Sequence, residues 1–120
     1  MKFYPVSSTE VDTSILETEY KSARQIGPIR LGDTCLIFRA RMKTYYIPYG
    51  EVKNCFRRVM GVNVRMCCGN GELQVENLVI ADGDKELAVI QLPGARAAKE
   101  LMKELKNRMP NAYFSAPKRI

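Results

Sequence analysis

The chain has 120 residues, of which 46% are hydrophobic and 27% charged, and it carries a formal net charge of +6. This length suits one domain with a single core, and this composition excludes wholesale disorder. No apolar run reaches the roughly 18 residues that cross a bilayer, and the N-terminus lacks an apolar signal-peptide stretch, so we expect a cytoplasmic protein.

The first 22 residues predict an N-terminal arm or helix that packs on the domain. Ser8 or Thr9 could cap a helix over roughly 9–22, because apolar residues follow at helical spacing. These are Val11, Ile15, Leu16, Tyr20 and Ala23. An extended arm is the alternative interpretation.

From Gln25 onward the pattern is that of short β-strands separated by turns. Gly32-Asp33 is a turn signal. Pro48 cannot donate to a strand ladder, so we expect it at a strand end or edge. The predicted strands are Ile26–Leu31, Cys35–Phe38, Tyr45–Tyr49 and Val52–Val59.

Two consecutive hairpins are predicted next. Residues 62–68 alternate between apolar and other side chains, and Gly69-Asn70-Gly71 predicts a tight turn into a return strand over 73–80. A second turn at 81–84 leads into the last strand, Leu87–Leu92.

The final predicted element is an amphipathic helix over roughly 94–108. Its apolar stripe consists of Ala98, Leu101, Met102, Leu105 and Met109, and charged residues occupy the other face. Pro110 ends it. A single apolar stripe must be buried, so we expect the helix to plug the open end of a bent sheet or of two packed sheets.

Two short motifs bear on the fold family. Cys35-Leu-Ile-Phe-Arg39 precedes Tyr46-Ile-Pro-Tyr49-x-Glu51-Val52, and Pro93-Gly94 separates the last strand from the helix. This order resembles the bacterial pleckstrin-homology-like (PH-like) family. The resemblance implies a mainly β fold, a bent antiparallel seven-stranded barrel capped by one C-terminal α-helix. It departs from eukaryotic members in having no Trp in the closing helix.

The domain organisation follows from these elements. Residues 1–22 form the arm or helix, residues 23–109 the PH-like β domain with its C-terminal helix, and residues 110–120 a tail. No repeat, low-complexity tract or linker divides the sequence.

The cysteines and the lack of histidine argue against catalysis and metal binding. Cys35, Cys55, Cys67 and Cys68 do not have zinc-site spacing, and the sequence has no His. We interpret the cysteines as reduced residues in strands; a reactive pair at Cys67-Cys68 is the alternative. No phosphate loop or catalytic triad is present. We therefore expect no enzyme activity, no catalytic residue, no metal and no cofactor.

Basic residues form the one candidate ligand site. Residues 21–60 carry a net charge of +7 and residues 92–120 a net charge of +5, whereas residues 1–20 and 61–91 each carry −3. The PH-like resemblance implies a phosphate-binding set of Lys21 and Arg39-x-Arg41, to which Lys43 adds a positive charge. A guanidinium group suits a phosphate because two of its N–H donors can hydrogen-bond to two phosphate oxygens at once. Charged strand ends in solvent are the alternative.

Arg57 and Arg58 are adjacent in a predicted strand, so their side chains should point to opposite faces. One of them should approach the core side and need an acidic partner. Glu51, Glu72 or Glu76 could provide it, and a structural ion pair is the favoured interpretation.

These observations predict a non-catalytic binding or scaffold module. The leading hypothesis is protein–protein interaction through a sheet edge or a groove beside the helix, since strand addition requires only backbone pairing and shallow pockets. The alternative is binding of an acidic lipid headgroup or nucleic acid through the basic strand-end surface.

Overall fold

The computed structural model of the protein describes residues 2–7, 9–66, 69–83 and 85–114, and for residues 62–66 and 69–73 it describes the backbone only. This part of the chain is mainly β, with one long helix near its C-terminal end and a 3-10 turn at Tyr49–Glu51. The strands are β1 (Phe3–Pro5), β2 (Arg24–Ile26), β3 (Ile29–Leu31), β4 (Cys35–Ala40), β5 (Lys43–Pro48), β6 (Asn54–Met66), β7 (Gly69–Asp82) and β8 (Lys85–Leu92), and the helices are α1 (Thr13–Ser22) and α2 (Ala95–Arg108).

The first sheet has five strands in the order β1–β5–β4–β3–β2. Strands β2 to β5 form an antiparallel meander, and β1 lies parallel to β5 at the other edge. Gly27, with φ of 57°, turns the backbone between β2 and β3. Pro48 is the last residue of β5, as predicted.

The second sheet is an antiparallel meander, β6–β7–β8. Strands β6 and β7 pair from Asn54 opposite Ala81 to Met66 opposite Gly69. Strand β8 pairs only with the stretch of β7 from Glu76 onward. The β6–β7 hairpin therefore extends beyond β8 as a two-stranded arm.

The main core lies between the two sheets, and α2 contributes to it. Helix α2 contacts β2 of the first sheet and β6, β7 and β8 of the second. Ala98, Leu101 and Leu105 are fully buried against core residues of both sheets. The helix thus packs against both sheets on the side of β2, and the prediction that its apolar stripe is buried is confirmed.

Helix α1 covers the opposite face of the first sheet. Leu16 packs there on Cys35, Ile37 and Tyr46 in a second buried cluster. The helix begins later than predicted, because the carboxylate of Asp12 caps it by accepting a hydrogen bond from the backbone N–H of Ser14 at 2.8 Å. The expectation that Ser8 or Thr9 caps this helix is therefore wrong.

A buried carboxylate ties α1 to the turn between β3 and β4. Glu19 accepts hydrogen bonds from the backbone and hydroxyl of Thr34, at 2.7 and 2.6 Å, and from the backbone N–H of Cys35 at 3.1 Å. The carbonyl of Gly32 in the same turn accepts hydrogen bonds from the Tyr49 hydroxyl and the Arg108 guanidinium. One turn thus joins both helices and the 3-10 turn.

Several expectations about the strands need correction. Residues 69–71 are not a turn but the start of β7, and the connection at 67–68 lies outside the described residues. Strand β6 does not end before Gly61, because continuous pairing with β7 extends the strand through it. The predicted strand over 26–31 is in fact two strands, β2 and β3, joined by the turn at Gly27. Strand β1 was not predicted either, so the described strands number eight, and they form two separate sheets and not a closed barrel.

In the described part of the protein, neither helix is both long and apolar enough to cross a membrane.

Candidate binding site

An open cleft of about 450 Å³ separates the two sheets on the side away from α2. This volume is within the range typical of ligand pockets. One wall comes from the first sheet and the residues around β1, and the other from β8. The lining residues are Pro5, Val6, Phe38, Ala40, Arg41, Tyr45, Glu86, Leu87, Ala88 and Val89.

The cleft follows the edge of β8. Four consecutive residues, Glu86–Val89, line it. Leu87 is the extra residue of a β-bulge, because Ala81 pairs with Glu86 and Ile80 with Ala88, so side chains do not alternate regularly through this stretch. The cavity therefore lies along the bulged part of the β8 edge. Among the described residues, no backbone hydrogen bond outside the β7–β8 ladder involves β8. The main-chain groups on this edge are therefore open to a partner.

The cleft has an apolar floor that is continuous with the main core. The rings of Phe38 and Tyr45 stack with centroids 5.5 Å apart. Val6, Ala40, Leu87 and Ala88 are partly buried and pack against the core cluster. The core therefore extends to solvent at this place, where an apolar side chain of a ligand could continue it.

A two-residue turn with unfavourable backbone angles stands at the mouth of the cleft. Arg41 and Met42 connect β4 and β5, with φ of 51° and 65°. Hairpin turns of this kind usually contain Asn-Gly, because other residues are strained in the left-handed region. Arg41 lines the cleft, while Met42 is 90% exposed.

Glu86 lines the cleft, but its carboxylate extends across the outer face of the second sheet and has a cationic partner there. Glu86 accepts two hydrogen bonds from the Arg58 guanidinium, at 2.9 and 2.8 Å, and this pairing raises the pKa of Arg58. Arg41, in contrast, forms no ion pair with another described residue. Among the described residues, Arg41 is thus the guanidinium group of the cleft without a carboxylate partner.

The other sheet edges are short, covered in part, or charged, as β6 is at Arg57 and Arg58. The C-terminal segment covers the start of β6, where Tyr113 accepts a hydrogen bond from Cys55 N–H at 2.8 Å. Strands β1 and β2 have three residues each, and Arg24 of β2 donates hydrogen bonds to Glu100 and Glu104 of α2. Strand β8, in contrast, has no charged residue from position 87 to 92.

The predicted basic residues do not form one site. Arg39 and Lys43 line a notch of about 270 Å³ together with Lys2, around the rings of Tyr4 and Tyr20. The ammonium groups of Lys2 and Lys43 lie 5.6 and 5.1 Å from the centre of the Tyr4 ring. None of the three cations forms an ion pair with a described residue.

The remaining two predicted residues lie elsewhere. Arg41 lines the cleft on the other side of the β4–β5 turn. Lys21 is exposed in the last turn of α1 and lines neither the cleft nor the notch.

The arginine pair of β6 has the structural role that the sequence favoured. Arg57 and the buried Glu76 form an ion pair that lowers the pKa of the carboxyl group. Arg58 points to the other face and binds Glu86, which was not among the predicted partners. Both arginines are thus engaged within the second sheet.

Two of the cysteines are buried free thiols. Burial raises the pKa of Cys35, and raises that of Cys55 to about 12, so both thiols are protonated at neutral pH. Cys67 and Cys68 lie outside the described residues. In the part of the protein that the structure describes, no three His, Cys, Asp or Glu side chains group as metal ligands would.

Several residues of the cleft and the notch were not singled out from the sequence. Lys2 and Tyr4 lie in and beside β1, whose three residues end in a proline and give no strand signal. Leu87–Val89 were recognised as a strand, but its position at an open edge depends on the long-range order of the sheets. The one sequence feature that points to the site is the β4–β5 turn, where Arg41-Met42 stands in place of the usual Asn-Gly.

We find no match for this protein among family models, curated proteins or solved structures. The PH-like resemblance therefore stays a prediction.

Proposed function

We propose that this protein is a non-catalytic interaction module that binds an extended segment of a partner protein along β8. The observation that carries the proposal is the cleft that follows the open edge of this strand. A bound segment would pair its main chain with β8 as a fourth strand of the second sheet. Its alternate side chains would rest on the Phe38–Tyr45 floor.

The dimensions of the site suit this mode of binding. Four strand residues span about 13 Å, which is enough for a short run of main-chain hydrogen bonds. The stretch over 87–92 has no charge or proline to protect the edge, and its one protective feature is the β-bulge at Leu87. A partner strand would supply that protection and bury the partly exposed apolar residues of the cleft.

The test uses a display library of random ten-residue peptides selected on the immobilised protein, followed by affinity measurements in solution. Val89→Lys places a charge on the proposed edge and should weaken the selected peptides at least about tenfold. Val59→Lys on β6 is the matched control, because Val59 and Val89 are 49% and 48% exposed in the same sheet. This control should bind as the wild type does.

Backbone pairing can be checked separately. In a bound strand, only every second N–H group of the peptide can face β8. N-methylation of those amide nitrogens should therefore abolish binding, whereas N-methylation of the other set should preserve it. The proposal is rejected if no peptide is enriched, or if Val59→Lys and Val89→Lys weaken binding equally.

A second candidate function is the binding of an anionic group in the notch. Lys2, Arg39 and Lys43 converge there, and no acidic residue lines it. The double change Arg39→Gln, Lys43→Gln should remove salt-sensitive binding of acidic-lipid vesicles or of single-stranded oligonucleotides, tested in separate arms. Equal binding by this variant and the wild type would eliminate this candidate.

A further inference from the structure

The charge balance of the cleft bears on what kind of segment it would bind. The carboxylate of Glu86 is held by two hydrogen bonds from Arg58 on the outer face of the second sheet, away from the cleft. Arg41 stands at the mouth without an ion pair to any described residue. A ligand that enters between Arg41 and the apolar floor therefore meets a positive charge beside a hydrophobic surface.

The backbone at Arg41 is a second, independent observation. Both residues of the turn adopt left-handed conformations. These conformations lower the stability of the fold when the residues are Arg and Met, whereas Asn-Gly would adopt them with little strain. Strained residues of this kind cluster at ligand-binding and active sites. Arg41 is the residue of the strained pair that lines the cleft, and its planar guanidinium group can bind a carboxylate through two parallel hydrogen bonds.

We propose that Arg41 selects segments that place a carboxylate beside apolar residues in the cleft. The carboxylate is that of an Asp or Glu side chain of the segment. This inference rests on the proposed strand addition along β8, and it assigns the specificity of that interaction to the β4–β5 turn.

The principal variant is Arg41→Asn, because Asn tolerates the left-handed conformation and suits the first position of this turn. We expect its melting temperature to equal or exceed that of the wild type, while its affinity for acidic peptides falls at least about tenfold. Arg41→Glu should reverse the preference toward peptides with Lys at the same position. Arg96→Gln on α2 is the matched control, since Arg96 is exposed and outside the cleft.

The probes are one selected peptide and three relatives of it: the acidic residue changed to its amide, the same residue changed to Lys, and the C-terminus amidated. Loss of affinity on the first change is the expected result, because it removes the side-chain carboxylate. Loss on amidation alone would place the carboxylate at the C-terminus and contradict the inference. Wild-type binding that is equal for all four peptides, or an Arg41→Asn variant that keeps the acidic preference, would overturn the inference but not the proposed function. Absence of binding by any peptide would overturn both.

Discussion

Glu19 shows how a buried acidic residue can organise a turn. Its carboxylate accepts three hydrogen bonds from Thr34 and Cys35, so two main-chain donors of the turn depend on it. A buried donor left without an acceptor costs about 1–3 kcal/mol. The site thus contributes to stability mainly by satisfying polar groups that the fold has to bury.

Gly32 is the residue that makes room for this carboxylate. A Cβ atom at position 32 would lie 2.5 Å from an oxygen of Glu19 and 3.1 Å from the carbonyl oxygen of Cys35. We therefore expect Gly32→Ala to displace Glu19 and to lower the free energy of unfolding by roughly 1–3 kcal/mol in urea denaturation.

Gly50 provides the control for this change. A Cβ atom at position 50 would meet no other atom within 4 Å. Gly50→Ala should therefore change stability by no more than about 1 kcal/mol, in the stabilising direction. Equal effects of the two substitutions would contradict the role of Gly32.

The Arg57–Glu76 pair predicts a stability that depends on pH. The hydrogen bond from Arg57 lowers the pKa of the Glu76 carboxyl group below its usual value near 4.5, so the native state favours the ionised form. Its contribution is fully present above about pH 4.5 and is lost as the pH falls through the lowered pKa of the folded state.

Thermal unfolding of Glu76→Gln between pH 7 and pH 3 measures this contribution. The variant should be less stable than the wild type at pH 7, and the difference should shrink toward pH 3. A constant difference across the range would show that the pair does not contribute through ionisation.

At the scale of the elements, α2 determines how tightly the two sheets are held together. Leu105 is fully buried, and it belongs to the cluster that includes residues of both sheets. Truncation of a buried leucine costs about 2–5 kcal/mol, so we expect Leu105→Ala to lose that amount of unfolding free energy. Lys103→Ala on the exposed side of the helix should change stability by less than about 0.5 kcal/mol. A loss below about 0.5 kcal/mol for Leu105→Ala would mean that the helix is not docked.

The periodic elements were the ones that could be predicted from the sequence. The stripe of Leu101, Met102 and Leu105 defines α2 almost to the residue, because a helix repeats its buried face within a few positions. Strand β1 could not be found in this way. It consists of three residues, and its pairing with β5 is formed across about forty residues of sequence.

At the scale of the whole molecule, the candidate site was predictable in kind but not in place. Sequence patterns suggested a binding module that uses a sheet edge, yet which edge is open depends on how two separate sheets face each other. Arg39, Arg41 and Lys43 are close in sequence, but the β4–β5 turn separates them into a cleft and a notch. The spacing of these residues in the sequence does not show which of them face the cleft and which face the notch.

The arrangement of the two sheets has a consequence for the order of folding. The first sheet uses residues 3–48 and the second residues 54–92, so each can assemble from its own consecutive stretch of sequence. Helix α2, which fills the gap between them, is synthesised after both. At about 5–20 residues per second, the facing apolar surfaces therefore stay uncovered for on the order of a second before the helix is complete. During that interval the nascent protein is prone to aggregate, so a pause in translation within α2 should lower the yield of folded protein.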